Sequence, residues 1–358
     1  MTTASEDPSP MNPDLSCPVP RPTGDLVLLA HGEGAGLTRR LIREVLLAAF
    51  DNEFLRPMAD AAVLPAIEGR VVLTTDSYVV SPLEFPGGDI GELAVYGTVN
   101  DLAACGAEPL YVSLALIVEE GLLIETLRRI VGSVRDAAKR CRVQVVTGDT
   151  KVVPRGAVDG LFVNTTGVGR LRPGIHLGAD RIRPGDRVLV SGTIGDHGMA
   201  ILSAREGLDL EPHVRSDTAP LHDLARSLLE ECGGDVHFLR DPTRGGPSAA
   251  LHEATEAAGV SVVLDESEVP VADAVRGACE ILGLDPLYVA NEGKLLAVVA
   301  PEAAARALAC LRRHPLGGSA SMIGEISPGP VAEVLVRGPL GAVRVLDEPS
   351  GAPLPRIC

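Results

Sequence analysis

The apolar positions of this chain follow helical and strand spacings in two successive groups. A recurrence every three or four residues predicts a helix whose buried stripe is Leu123, Leu127, Ile130, Val131, Val134 and Ala138. Another such recurrence predicts a helix over 37–50, and small apolar residues predict one over 92–104. Apolar runs and alternations of strand length predict strands at 26–30, 71–75, 109–118, 143–147 and 158–171.

The second half repeats this mixture after a Pro- and Gly-rich stretch at 172–186. Strands are predicted at 187–191, 260–264, 295–300, 332–337 and 342–346, and helices near 218–231, 246–258, 270–281 and 302–312. The order is not strictly alternating, which favours an α/β (α+β) protein of two lobes over one doubly wound sheet. We expect a disordered Pro-rich lead-in at 1–22, lobes at 23–172 and 173–346, and a mobile tail at 347–358.

Composition narrows the classes of partner. The chain has 358 residues, 46% of them hydrophobic, and a net charge of −16, which argues against a nucleic acid because binding phosphates requires clustered Lys and Arg. No apolar run approaches the ~20 residues of a membrane span, and the first residues do not resemble a secretory signal. The seven cysteines contain no C-x-x-C pair, so free thiols and a cytoplasmic location are expected.

Three short polar clusters follow predicted strands or lie in the small-residue helix. They are Asp76 after a strand, Asn100-Asp101 within the helix, and the run Gly148, Asp149, Thr150 and Lys151. Carboxylates at strand ends lie where ligands bind in open sheets, and three of them with a lysine suit an Mg²⁺–nucleotide site. Taken singly, each aspartate is more commonly a turn or capping residue.

Other candidates are weaker. The Gly-rich turn 31–36 could bind phosphate or simply connect a strand to a helix, and Arg244 could contact phosphate or lie on the surface. Glu292 in a tight turn could be a base or a solvated turn residue, and His197 at a helix start is usually structural. Cys358 ends a Pro-broken tail, so we expect it outside any core, either as an incidental thiol or as a carrier that another protein loads.

Together these motifs resemble the HypE family of hydrogenase-maturation carbamoyl dehydratases, within the aminoimidazole ribonucleotide synthetase-like superfamily. The resemblance covers about residues 24–358. Its motifs are LLAHGEGAG (28–36), TTDSYVVSPLEFPGGDIG (74–91), GTVNDLAACGAEPLYVSLALIVEEG (97–121), VVTGDTKVV (145–153), SGTIGDHGMAIL (191–202), LRDPTRGG (239–246), NEGK (291–294) and PRIC (355–358). The terminal PRIC distinguishes this family from its relatives. One departure is Glu33, where family members more often carry a small residue.

The resemblance implies a two-lobed homodimeric enzyme with ATP bound in the N-terminal lobe. A HypF-type carbamoyltransferase would load a carbamoyl group on Cys358, and ATP-driven dehydration would give an S-cyanate. The cyano group would pass to iron on the HypC–HypD scaffold, as a ligand of the [NiFe]-hydrogenase centre.

The resemblance also implies residue roles. Asp76, Asp101 and Asp149 match metal and phosphate positions, with Asn100, Gly148, Thr150 and Lys151 near the nucleotide. Cys358, Glu292 and Lys151 match the catalytic set; we favour Glu292 as the base and a charged Lys151 as electrostatic aid. The alternatives are a phosphoribosyl-substrate cyclase, a selenophosphate synthetase or a thiamine-monophosphate kinase of the same superfamily, and a non-catalytic scaffold that presents Cys358.

Overall fold

The structure, a computed structural model, describes residues 25–208, 214–329, 332–348, 351, 354 and 356–358. The predicted lead-in at 1–22 lies outside the described residues. Among those described, no helix is long and apolar enough to cross a bilayer.

The N-terminal lobe is a four-stranded sheet with helices on one face. The strands lie in the order β1-β6-β4-β5, antiparallel except for the parallel β4–β5 pair. The elements are α1 (Gly36–Leu41), continued by a π-helix (Ile42–Leu47), α2 (Ala48–Phe50), β1 (Val71–Tyr78), the short pair β2 (Glu84–Phe85) and β3 (Gly88–Asp89), α3 (Ile90–Ala104), β4 (Ala107–Glu119), α4 (Ile124–Cys141), β5 (Gln144–Val153) and β6 (Leu161–Leu171). The predicted apolar stripe of α4 is buried from Leu127 to Ala138.

Helix α3 lies at the centre of the molecule. It packs on β1, β4, β6 and α4 of its own lobe and on α6 and β8 of the other. Nearly all its residues are buried, including the polar Thr98 and Asn100. A helix that is apolar on every face belongs in an interior position. Its first turn is capped by Asp89, whose carboxylate accepts from Gly91 N at 2.7 Å and Glu92 N at 3.0 Å.

The C-terminal lobe is built on a seven-stranded sheet in the order β13-β12-β9-β11-β7-β10-β8. Its strands are β7 (Arg187–Val190), β8 (Val236–Arg240), β9 (Ser261–Asp265), β10 (Leu296–Val299), β11 (Ser321–Ser327), β12 (Val334–Arg337) and β13 (Val343–Val345). Its helices are α5 (Asp196–Glu206), α6 (His222–Cys232), α7 (Gly246–Ala258), α8 (Asp273–Leu282) and α9 (Ala304–Arg313). The two-lobed mixed architecture agrees with the expectation from the sequence.

The structure differs locally from the sequence-based expectations in two ways. Residues 26–30 do not form a strand: Leu26 makes an isolated bridge to Leu123, and Leu29–His31 is a 3₁₀ turn. Strands β8 and β11 were not foreseen, because their short sequences do not alternate clearly and they are strands only through pairing with β10, β7 and β9.

Candidate active site

The end of the chain is inserted against the N-terminal lobe. Ile357 is 3% exposed and joins the same apolar cluster as Tyr78 and Val80, with Cys358 packed against it. Successive main-chain carbonyls are hydrogen-bonded: Arg356 O accepts from Arg205 at 2.6 Å, Ile357 O from His197 at 2.9 Å, and Cys358 O from Val79 N at 3.0 Å. The expectation that Cys358 lies outside any core is therefore wrong in this structure, because Ile357 carries it into one.

Glu292 lies close to the docked thiol and is almost fully buried. Its side-chain Oε1 has no hydrogen-bond partner within the described part of the chain. Burial, followed by the charges of Asp241 and Asp217, raises the pKa of Glu292 well above its usual range. A buried carboxyl with a free oxygen and a raised pKa is suited to receive and hold protons.

The turn that carries Glu292 is held by the buried carboxylate of Asp217. Asp217, 3% exposed, accepts from the amides of Glu292 and Gly293, each at 3.1 Å, and from Lys294 Nζ at 3.0 Å. Although burial alone would raise it, the charge of Lys294 leaves the pKa of Asp217 below its usual value. A Cβ on Gly293 would lie 1.8 Å from the Asp217 carbonyl oxygen, so this approach requires glycine.

Three aspartates extend the acidic surroundings of Glu292 and Cys358, a region between the two lobes that we call the interlobe cleft. Asp101 accepts a hydrogen bond from Thr74 at 2.7 Å and interacts with Asp76. Burial and the charge of Asp101 raise the pKa of Asp241 to about 7, and burial also raises that of Asp101. Carboxylates that repel one another in this way fit a cation, since Mg²⁺ is commonly held by one or two carboxylates with phosphates and water completing its shell.

The environment of Cys358 does not activate its thiol. Burial raises the pKa of the thiol, Glu292 and Asp76 raise it further, and the Arg244 guanidinium opposes the shift. The sulfur therefore remains protonated while docked. Cys358 is therefore not an activated nucleophile while it is docked, which fits a carrier that another protein loads.

Tyr78 is a further candidate that sequence reasoning missed. Its hydroxyl is buried and has no hydrogen-bond partner among the described residues. Burial, then the charges of Asp76 and Glu292, raises the pKa of Tyr78. The alternation of β1 was a usable signal, because it places Tyr78 on the same face as Thr74 and Asp76.

Asp149 and Lys151 lie apart from Cys358 and Glu292, on the edge strand β5. Both side chains are mostly exposed, and Lys151 Nζ contacts the Asp149 carboxylate at 3.3 Å. They border a cavity of about 420 Å³ between β5 and the Gly-rich turn, which also contributes Gly32, Glu33 and Gly34. At this cavity the predicted Gly-rich turn meets predicted phosphate residues.

Strand register shows how far these two regions are separated. Asp76 aligns with Thr165, Leu114 and Gly148 across the sheet, whereas Asp149 aligns through Ala115 and Asn164 with Ser77. Neighbouring strands lie about 4.8 Å apart, so three spacings separate the two aspartates by roughly 14 Å. Alternation also puts them on opposite faces.

The structure thus brings Cys358, Glu292, Asp76 and Asp101 together but does not add Asp149 or Lys151 to them within one chain. No group of three His, Cys, Asp or Glu side chains among the described residues is arranged to hold a metal. The prediction that three aspartates share one ion needs correction at the level of a single chain. Asp149 and Lys151 are two residues apart on an edge strand, and their side chains share the face away from α3.

The remaining predicted ligand residues have structural roles. The Asn100 amide donates to the Ala219 carbonyl at 3.1 Å and accepts from Leu221 N at 2.7 Å, so it joins the lobes and is not free for a nucleotide. Thr150 is buried, and its amide donates to Asp149 at 2.9 Å. A Cβ on Gly148 would lie 2.1 Å from the Leu114 carbonyl oxygen, so this residue allows β4 and β5 to approach.

Comparison with known proteins places the chain in a family. Residues 58–171 match the AIR synthase related protein N-terminal domain, and residues 183–337 match its C-terminal domain. The chain is similar to carbamoyl dehydratase HypE of Cupriavidus necator, with 51% identity over 92% of this chain and 94% of that protein.

Solved structures agree. Hydrogenase maturation protein HypE in complex with ATP is 46% identical, with a TM-score of 0.88 over 92% of this chain and 99% of that one. A HypE–HypF complex contains a chain that is 47% identical, with a TM-score of 0.76 over 86% of this chain and 99% of that one. The fold and the resemblance expected from the sequence are confirmed, and the chain belongs to the HypE family of hydrogenase-maturation carbamoyl dehydratases.

Proposed function

We propose that this enzyme dehydrates its own carbamoylated Cys358 with ATP. The S-carboxamide on Cys358 reacts with ATP to give an S-cyanate, ADP and phosphate. The amide oxygen leaves with the γ-phosphoryl group, and both amide protons are removed. The observation that carries the proposal is the docking of Cys358 beside a buried Glu292 that has an unpartnered oxygen. A solved HypE relative that binds ATP supports the nucleotide.

The residues of the cleft divide the work. Glu292 accepts the two N–H protons one at a time, since its raised pKa makes its ionised form a stronger base than an exposed carboxylate. One proton leaves on the released phosphate and the other goes to solvent. Arg244, whose charge reaches the thiol, stabilises negative charge that develops near the sulfur. Mg²⁺ bound by Asp76 and Asp101 would neutralise phosphate charge. The roles of Asp149 and Lys151 toward nucleotide, and of Lys151 in catalysis, stay predictions.

We also propose a homodimer in which a second copy covers the outer face of the N-terminal sheet. That face carries Leu73 at 68% exposed, Val71 at 55% and Ile117 at 40%. Exposed apolar side chains on adjoining strands are typical of an interface. Because Asp149 and Lys151 lie on the same face, dimerisation would change their surroundings most.

The proposed partners follow from the chemistry of the tail. A HypF-type carbamoyltransferase supplies the carbamoyl group, in line with the solved complex of a HypE with HypF. The HypC–HypD scaffold receives the cyano group for the [NiFe]-hydrogenase iron, and the reaction takes place in the cytoplasm.

Mass spectrometry of the C-terminal peptide tests the function. After incubation with the carbamoyl donor system, wild type gains one carbamoyl mass on Cys358, and Mg-ATP then removes one water mass. Cys358→Ser shows neither change, whereas Cys105→Ser, a substitution at an exposed cysteine, behaves as wild type. A carbamoyl group that persists with Mg-ATP contradicts the proposal. A small-molecule kinase or cyclase activity that survives removal of Cys358 favours the alternatives.

Sedimentation tests the dimer. Wild type is expected to sediment as a dimer, and Leu73→Lys as a monomer, because an unpaired charge in an apolar interface is costly. Leu340→Lys, at a 99% exposed position in the other lobe, is the matched control and stays dimeric. A monomeric wild type contradicts this part.

A further inference from the structure

The tail is held by main-chain hydrogen bonds in addition to the burial of Ile357 and the ion pair of Arg356 with Asp159. The main-chain carbonyls of residues 356, 357 and 358 each accept a hydrogen bond, as described above. In addition, the Arg356 guanidinium donates to the Val79 carbonyl oxygen. Of the groups that contact these carbonyls, the His197 ring is the most buried, at 0% exposed. It also meets the Phe85 ring edge-on at 5.6 Å. A fully buried imidazole aimed at one carbonyl fixes that carbonyl more tightly than a mobile surface group would.

The hydrogen bonds determine the tautomer of His197. The Ile357 carbonyl only accepts, so Nε2, at 2.9 Å, carries the proton. Nδ1 lies 2.8 Å from Ser216 Oγ and accepts from that hydroxyl. Ser216 Oγ in turn accepts from Thr218 N at 3.0 Å, which orients it. Burial lowers the pKa of His197, so the ring is neutral, and the Ser216 hydroxyl holds it in one orientation.

The same short segment also holds the proposed base. Ser216 orients His197, and the next residue, Asp217, accepts from the amides of Glu292 and Gly293. The thiol-bearing residue and the carboxyl group are thus located relative to one frame, residues 216–218. A shift of His197 would move the sulfur but leave Glu292 in place.

We propose that His197 is the positioning residue for the tail: its Nε2–H bond to the Ile357 carbonyl places Cys358 beside Glu292. The catalytic consequence rests on the proposed function, but the docking itself does not. His197 touches neither the sulfur nor the groups to be transferred, so it acts through the backbone.

Thiol alkylation measures docking without nucleotide or carbamoyl donor. The docked Cys358 is partly buried and the pKa of its thiol is raised, so iodoacetamide reacts mainly with the undocked tail, and the rate follows the undocking equilibrium. His197→Phe keeps a ring but removes both hydrogen bonds, and should raise alkylation of Cys358 about fivefold. His197→Gln, which retains a donor at the Nε2 position, should stay within about twofold of wild type. The exposed Cys105 serves as internal reference for the reagent.

Single-turnover dehydration then separates positioning from general damage. In His197→Phe we expect the dehydration rate to fall at least about tenfold with nucleotide affinity unchanged, because a misplaced reacting atom is costly. His197→Gln restores most of the rate. Ser203→Ala, on the same helix and bonded to the Leu208 carbonyl, is the control and resembles wild type in both assays.

Several results would overturn the proposal. One is equal Cys358 alkylation in wild type and a folded His197→Phe. If His197→Phe does not fold by circular dichroism, Ser216→Ala, which removes the hydroxyl bonded to His197 Nδ1 together with its contact to Thr218 N, should raise alkylation about twofold; no rise overturns it equally. A different outcome is that wild type never dehydrates the tail, while His197→Phe still raises alkylation of Cys358 relative to wild type. That result contradicts the proposed function but supports the positioning role of His197.

Discussion

The interlobe cleft and the outer edge at β5 contain the same residue types in opposite environments. Inside, Lys294 contacts Asp217 at 3.0 Å with side chains 11% and 3% exposed. Outside, Lys151 contacts Asp149 at 3.3 Å with side chains 65% and 60% exposed. Each pair is one lysine and one aspartate, and residue type alone does not distinguish them. Burial decides which pair determines structure and proton affinity and which one stays free to meet a charged ligand.

The largest expected effect is on catalysis inside the cleft. Glu292→Gln keeps the shape of the side chain but cannot accept protons, so dehydration of carbamoylated Cys358 should fall by about 10²- to 10⁴-fold. The wild-type rate should rise with pH as Glu292 ionises, at a pH above that of an ordinary glutamate because its pKa is raised. Single-turnover mass spectrometry measures both, with the exposed Glu256→Gln as control. Full activity in Glu292→Gln would exclude it as the base.

The next largest expected effect is on the unfolding free energy when either lysine–aspartate pair is broken. Lys294→Met leaves the Asp217 carboxylate buried without its cation and should cost about 3–5 kcal/mol of unfolding free energy. Lys151→Met removes an exposed pair and should change stability by about 0–1 kcal/mol. Urea denaturation of the two variants gives the comparison directly. Equal losses would show that burial does not separate the pairs.

A smaller effect is the pH dependence of stability. Since the pKa of Asp241 is raised to about 7, the folded protein retains a proton that the unfolded chain releases near pH 4. The stability that this group contributes is complete below that pH and is lost as pH rises to about 7.

Asp241→Asn cannot ionise, so its loss of stability between pH 5 and pH 8 should be smaller than that of wild type by about 3 kcal/mol. Denaturation in the presence of a chelator measures this, and the exposed Asp149→Asn should parallel wild type. Identical slopes for wild type and Asp241→Asn would refute the shift.

The sequence predicted the elements better than their meeting places. The stripe of α4 and the alternation of β6 depend on local spacing, and both lie where expected. Glu292 was found as an acid in a turn, but its partnership with Asp217 joins residues 75 positions apart.

Asp149 was grouped with Asp76 because both follow strands. Which strands adjoin and which face each residue takes is set by pairing, and that information is not local. Tyr78 and Asp241 were missed because their shifted pKa values arise from tertiary burial.

Helix α3 has one consequence for unfolding. Its surface is shared between the two lobes, and Asn100 binds residues 219 and 221 from within it. Separating the lobes would expose this apolar cylinder to water on one whole side. Heating should therefore melt both halves in a single cooperative transition, even though the chain matches two distinct domain families.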